Sequence, residues 1–180
     1  MNGFEAMMQN VSRVPHGTIE GVEHAAHFSK CRLYRYELWR KWSDTGYVMF
    51  IGLNPSTADE FSDDPTVRRC IDFARSFGGG GLCMTNIFAW RDTDPKAMKR
   101  ATEPVGAEND ETLMRLARDA KLVIAAWGVH GEHQGRAAAV LNMLCKVCRI
   151  YCLGVTKDHH PKHPLYLPKN AELQIYVERS

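Results

Sequence analysis

Val48-Met49-Phe50-Ile51-Gly52-Leu53-Asn54-Pro55-Ser56 is an apolar run that stops at a glycine and becomes polar within three residues. A short continuous apolar stretch of this kind reads as a strand buried on both faces. Asn54-Pro55 then supplies turn chemistry, and Asp64-Pro65 marks the start of a helix, with a capping carboxylate followed by proline at the first helical position. In open α/β sheets ligands sit in the crevice beyond the carboxyl ends of the strands. Asn54 therefore falls where such a sheet places its pocket.

Three further runs of the same type follow, so that strands are predicted at 47–53, 82–87, 122–127 and 149–153. Helices are predicted between them. Val67, Cys70, Ile71, Ala74 and Phe77 recur at helical spacing until Gly78–Gly81 ends the pattern. Leu113, Leu116, Ala117 and Ala120 mark a second helix, about 105–120, whose Glu108, Asp110 and Glu111 suit the positive end of the helix dipole. Ala137, Val140, Leu141 and Leu144 mark a third, about 133–146. The alternation implies an α/β fold, a three-layer αβα sandwich around a four-stranded parallel sheet, with an added N-terminal strand at 31–42. Residues 1–28 show no sustained periodicity and read as a poorly packed extension, leaving 29–180 as one domain.

A chain of 180 residues suffices for one domain that buries roughly 70% of its unfolded surface. No stretch approaches a membrane span and Glu5 and Asn10 interrupt the early apolar residues, so a cytoplasmic location is expected. The six cysteines read as free thiols, four of them (Cys70, Cys83, Cys145, Cys152) in apolar periodic segments. Cys145, Cys148 and Cys152 span a helix end and a strand, which turns their sulfurs different ways. A net charge of +2 permits nucleic-acid contact without demanding it. Lys30, Arg32, Arg35, Arg40 and Lys41 alternate with Tyr34, Tyr36, Trp39 and Trp42, either a half-exposed strand with a solvated basic face or rings that stack on bases.

Each strand end carries polar chemistry. Asn54 is followed by Ser56, Thr57 and Asp59, and an asparagine amide holds a water or a base edge equally well. Asn86 is followed by Phe88 and Trp90, an amide beside two rings; it is equally an amide that bonds the neighbouring loop. Trp127-Gly128 closes the third run, and His130 and His133 beyond it read as surface residues. The last loop, 154–168, holds His159, His160 and His163 among three prolines. No carboxylate or cysteine motif accompanies these histidines, so no metal and no cofactor is expected.

Gly52-Leu53-Asn54-Pro55, Gly81-Leu82-Cys83-Met84-Thr85-Asn86, Leu122-Val123-Ile124-Ala125-Ala126-Trp127-Gly128 and His163-Pro164 with Leu167, in that order, resemble the uracil-DNA glycosylase superfamily over roughly residues 47–168. The mismatch-specific thymine/uracil branch is the most similar at the first motif, because it too has asparagine where the best-known branch has a water-activating aspartate. The whole chain also resembles a bacterial and phage domain family of unsettled activity marked by Gly-Leu-Asn-Pro-Ser-Thr-Ala-Asp, here residues 52–59. The superfamily resemblance implies that Asn54 positions a water and that His163 stabilises charge on a leaving base. It also implies that Asn86 reads the base edge in a pocket with Gly52, Pro55 and a stacking Phe88 or Trp90. Leu167 would then wedge into the duplex, with Tyr166 and Lys162 beside it on DNA. Asp59 and Asp64 are candidate general bases, Asp64 being also the helix cap. Leu165 and Tyr166 depart from the superfamily's loop, which has a serine and a proline there. The expected function is nucleobase recognition by a DNA glycosylase-like hydrolase of an N-glycosidic bond. The alternatives are an inactive nucleic-acid-binding module and an enzyme acting on a free nucleotide or modified base.

Overall fold

The computed structural model describes residues 22–180. Its sheet contains seven strands in the order β1-β2-β4-β3-β5-β6-β7. They are β1 (Glu23–Phe28), β2 (Arg35–Lys41), β3 (Tyr47–Gly52), β4 (Gly81–Asn86), β5 (Leu122–Ala125), β6 (Ile150–Cys152) and β7 (Gln174–Val177). The sheet is mixed, which corrects the expected four-stranded parallel sheet. The four anticipated strands are mutually parallel at its centre, with Gly52 opposite Asn86 and Ile51 opposite Ala125. Antiparallel strands extend it on both sides: β2 on β4, β1 on β2 and β7 on β6. Residues 23–28, placed by sequence in the N-terminal extension, form β1. The remainder of that extension, residues 1–21, lies outside the described residues.

Side chains alternate across the central strands as the pleat requires. Val48 and Phe50 of β3 face helix α1 (Pro65–Ser76) with Leu82, Met84 and Ile124, against Val67, Cys70, Phe73 and Ala74. Met49 and Ile51 face the other way, onto Leu113, Leu116 and Ala117 of α3 (Asn109–Asp119) and Val140 and Leu144 of α4 (Arg136–Leu144). The molecule thus has helices on both faces of the sheet. A short helix α2 (Pro95–Arg100), which has no counterpart in the predicted helices, is capped by Asp94 in the same Asp-Pro manner as α1. α3 starts later than its periodicity implies because Gly106 takes a positive φ of 84° before it. α4 is likewise shortened at its N-terminal end, where a 3-10 segment, Val129–Gly135, breaks at His133 and Gln134.

β2 is not a half-exposed strand with a solvated basic face. Arg35 through Arg40 are all buried. The Arg40 guanidinium pairs with Asp63 at 2.7 Å and donates to the Asp59 carbonyl at 2.7 Å, fastening β2 to the segment that leads into α1. On the opposite face Glu37 accepts from Trp39 Nε1 at 2.8 Å and pairs with Arg115 of α3.

β3 leads through α1 to β4 on one side, and the chain then crosses back to β5 on the other side of β3. The boundary between β3 and β5 is the switch point of the parallel core, where open α/β sheets form their crevice.

Candidate functional site

A cleft of about 880 Å³ opens at this switch point. Its floor is formed by strand ends: Gly52–Asn54 after β3, Asn86 ending β4, and Trp127-Gly128 after β5. One wall is the first turn of α1 with Asp64, and Arg35 at the start of β2. The other wall is the loop after β6, with Thr156, Lys162, His163 and Tyr166 through Pro168.

The floor is tightly determined. Ile87 N–H donates to the Gly52 carbonyl and Phe88 N–H to the Leu53 carbonyl, both at 2.9 Å, so the β3 and β4 ends stay paired past the sheet. Asn86 is 2% exposed, yet its amide Nδ2 has no acceptor among the described residues. A Cβ on Gly52 would lie 2.7 Å from Asn86 Oδ1 and 2.9 Å from Met84 Cε. A side chain at 52 would therefore force the Asn86 amide and the Met84 methyl to shift. Trp127 Nε1 is also buried without an acceptor there.

Asn54 lines the cleft with its amide half engaged. Nδ2 donates to the Asp92 carbonyl at 2.8 Å and to the Pro55 carbonyl at 3.3 Å, which pins the turn to the segment before α2. The oxygen Oδ1 remains as an acceptor of hydrogen bonds. Asp64 Oδ1 accepts from Val67 N–H at 2.8 Å, so the carboxylate caps α1 while it faces the cleft.

The histidine loop is stiffened by backbone hydrogen bonds. Val155 and Pro161 form a bridge, and Gly128 N–H donates to the Pro161 carbonyl at 2.9 Å, tying the loop to the end of β5. Gly128 is at φ 69°, which orients that N–H. His163 Nδ1 accepts from Leu165 N–H at 3.4 Å, and the remaining proton of a neutral ring then sits on Nε2. Burial favours the neutral ring and pulls the His163 pKa below its ordinary value, against the opposing pull of the Asp64 carboxylate. His160 lies 3.5 Å from Glu132, and no cluster of three metal-ligating side chains occurs among the described residues.

Of the residues expected in the site, Asn54, Asn86, Gly52, His163, Lys162, Tyr166 and Leu167 line one cleft. Asp59, Pro55, Phe88 and Trp90 do not. The Asp59 carboxylate accepts from Phe61 N–H at 2.8 Å and Ser62 N–H at 2.9 Å, closing a local turn. Pro55 is buried beneath the turn. Phe88 is buried in the core, and the Trp90 ring stands edge-on to Tyr34 with centroids 5.4 Å apart. Leu167 packs against the α1 side of the core, whereas Tyr166 is 85% exposed at the rim. A protruding ring thus stands where a protruding leucine was expected.

Sequence reasoning missed Arg35, Asp92, Thr93 and His130 in the lining. Arg35 was legible only as one cation in a basic, aromatic strand. His130 is exposed, as expected, and also lines the cleft from the 3-10 segment after Gly128.

The model of a family described as "Protein of unknown function (DUF1643)" matches residues 35–165, which includes Arg35, Asn54, Asp64, Asn86, Trp127 and His163. No curated protein and no solved structure matches the chain.

Proposed function

The chain belongs to the DUF1643 family, and we propose that its cleft recognises a nucleobase and hydrolyses the N-glycosidic bond that carries it. The observation that carries this reading is Asn86, a buried amide at a strand end whose donor lacks an acceptor. An unmatched buried donor costs about 1–3 kcal/mol, a cost that a ligand carbonyl or ring nitrogen removes. The cleft volume of about 880 Å³ suits a nucleotide, since small-molecule pockets span ~300–1,000 Å³. The order of the strand-end motifs resembles the uracil-DNA glycosylase superfamily and supports the same reading.

In this mechanism Asn86 donates to the base edge. Asn54 Oδ1 accepts a hydrogen bond from a water and holds it toward the anomeric carbon. The water oxygen bonds to that carbon as the carbon–nitrogen bond breaks and its electron pair passes to the base. The bound water releases one proton to solvent, and the base anion takes one up from solvent as it leaves. His163, neutral, donates Nε2–H to the charge growing on the base, an electrostatic stabilisation that needs no reorganisation. Tyr166 at the rim offers a ring to a neighbouring base.

Oligonucleotides containing uracil, mismatched thymine or modified bases test the reaction through alkali-labile abasic sites. Wild type is expected to form them with one of these substrates, and His163→Ala to slow the reaction by ~10²–10³-fold, the usual loss on removing one such donor. Absence of abasic sites from every substrate overturns hydrolysis of the strand. A second reading, action on a free nucleotide, is favoured by the modest net charge of +2.

A further inference from the structure

Arg35 has no part in the reaction just described, yet it occupies the same cleft. Its side chain is 2% exposed at the start of β2. Nη1 donates to the Ala58 carbonyl at 2.6 Å. Among the described residues Nε has no acceptor and Nη2 makes no hydrogen bond. The Nε and Nη2 N–H groups form one edge of the guanidinium, the edge that matches two oxygens of a phosphate or carboxylate. Burial lowers the Arg35 pKa to about 10, which leaves the group cationic at neutral pH. Its charged neighbours are Asp64 and Asp59, which favour the cation, and Arg91 and Arg40, which oppose it.

One further donor, the Thr66 N–H, opens on the same space. Asp64, Thr66 and Val67, the cap and first turn of the 12-residue helix α1, line the cleft with Arg35. Asp64 Oδ1 takes the Val67 N–H. Thr66 N–H has no carbonyl within its own helix, and the helix dipole places partial positive charge there.

We propose that Arg35 and the first turn of α1 form an anion subsite that binds the phosphate of the nucleotide whose base lies against Asn86. The assignment rests on the base-recognition reading and extends it, since it makes a phosphate ester part of what the cleft recognises. The phosphate belongs either to a free nucleotide or to a strand. Asp64 balances Arg35 in charge while the subsite is empty and repels the incoming anion.

Isothermal titration of the full chain tests this with the 5′-monophosphates of deoxyuridine, thymidine, deoxycytidine, deoxyadenosine and deoxyguanosine, their nucleosides, inorganic phosphate and short oligonucleotides. One nucleotide, or an oligonucleotide containing it, is expected to bind at least about tenfold more tightly than its nucleoside, the scale of one charge-assisted contact. This comparison uses wild type alone, so it survives an Arg35 variant that fails to fold. Arg35→Lys, which keeps the charge and loses the two-point edge, is expected to abolish most of the difference. Asp64→Asn, which keeps a capping side chain and removes the repulsion, is expected to tighten nucleotide binding.

Equal affinity for nucleoside and phosphorylated forms overturns the subsite and leaves base recognition standing. Arg35-dependent binding of inorganic phosphate with no preference for any base supports the subsite and removes the base reading. A strand that binds in an Arg35-dependent way, where the monophosphate does not, supports the subsite and identifies the strand as its source. Failure of every probe to bind overturns both.

Discussion

Asn86 combines full burial with an unmatched amide, and this makes a distinctive stability prediction. Replacing a buried polar group that lacks a partner by an apolar one of similar size is nearly neutral or stabilising. Asn86→Leu is therefore expected to leave unfolding stability unchanged or raise it by about 1 kcal/mol, as read by urea titration, while nucleobase binding is lost. His163 has a second signature. Nitrogen-resolved NMR is expected to find the neutral Nε2–H tautomer at pH 7, with a pKa below 6.5. Since Asp64 opposes that depression, Asp64→Asn is expected to lower it further. A histidine whose folded pKa is depressed binds fewer protons than in the unfolded chain, so its contribution to stability falls as pH drops from 6.5 toward the folded value.

α1 joins fold and site at its first turn. Asp64 accepts the Val67 N–H, and Pro65 follows at the first helical position. Asp64→Ala is expected to cost ~1 kcal/mol through loss of the cap, and Asp64→Ser to restore most of it, measured by thermal unfolding. The cap was legible in the sequence, as were β3 to β6, because runs such as Val48-Met49-Phe50-Ile51 are apolar on both faces. β1 and β7 were not. Glu23-His24-Ala25-Ala26-His27-Phe28 and Gln174-Ile175-Tyr176-Val177 mix polar with apolar residues because they lie at the two edges of the sheet, each with one neighbouring strand. The cleft lining was legible where a motif followed a strand end, as at Asn54 and Asn86, and in the His163-Pro164 motif of the loop after β6. Phe88 and Trp90 misled because proximity along the chain to Asn86 says nothing about which face a ring takes. Arg35 was hidden because a charged residue in a strand is ordinarily a solvated one, whereas here it pairs with Phe28 of β1 and donates to the Ala58 carbonyl.

Charge burial ties the architecture together. Arg40, fully buried, holds Asp63 at 2.7 Å and so attaches the flanking strand β2 to the entry of α1 on the far side of the β3 turn. Removing one member of such a pair leaves an uncompensated charge inside, which costs roughly 3–5 kcal/mol. Asp63→Ala is expected to show that loss by chemical denaturation and to loosen the wall that carries Arg35 and Asp64. Hydrogen exchange measured across residues 55–66 checks the second effect. Cleft and core are therefore coupled, since the bonds that order the wall are the same bonds that neutralise a buried cation.

Gly52 is a different kind of control point. Its missing Cβ is the space into which Asn86 fits, with 2.7 Å from the absent carbon to the amide oxygen. One added methyl group would displace the amide without deleting a donor, acceptor or charge anywhere in the molecule. Gly52→Ala is thus a purely steric key to the cleft. The floor of the cleft depends on shape at one carbon as much as on the polar groups around it.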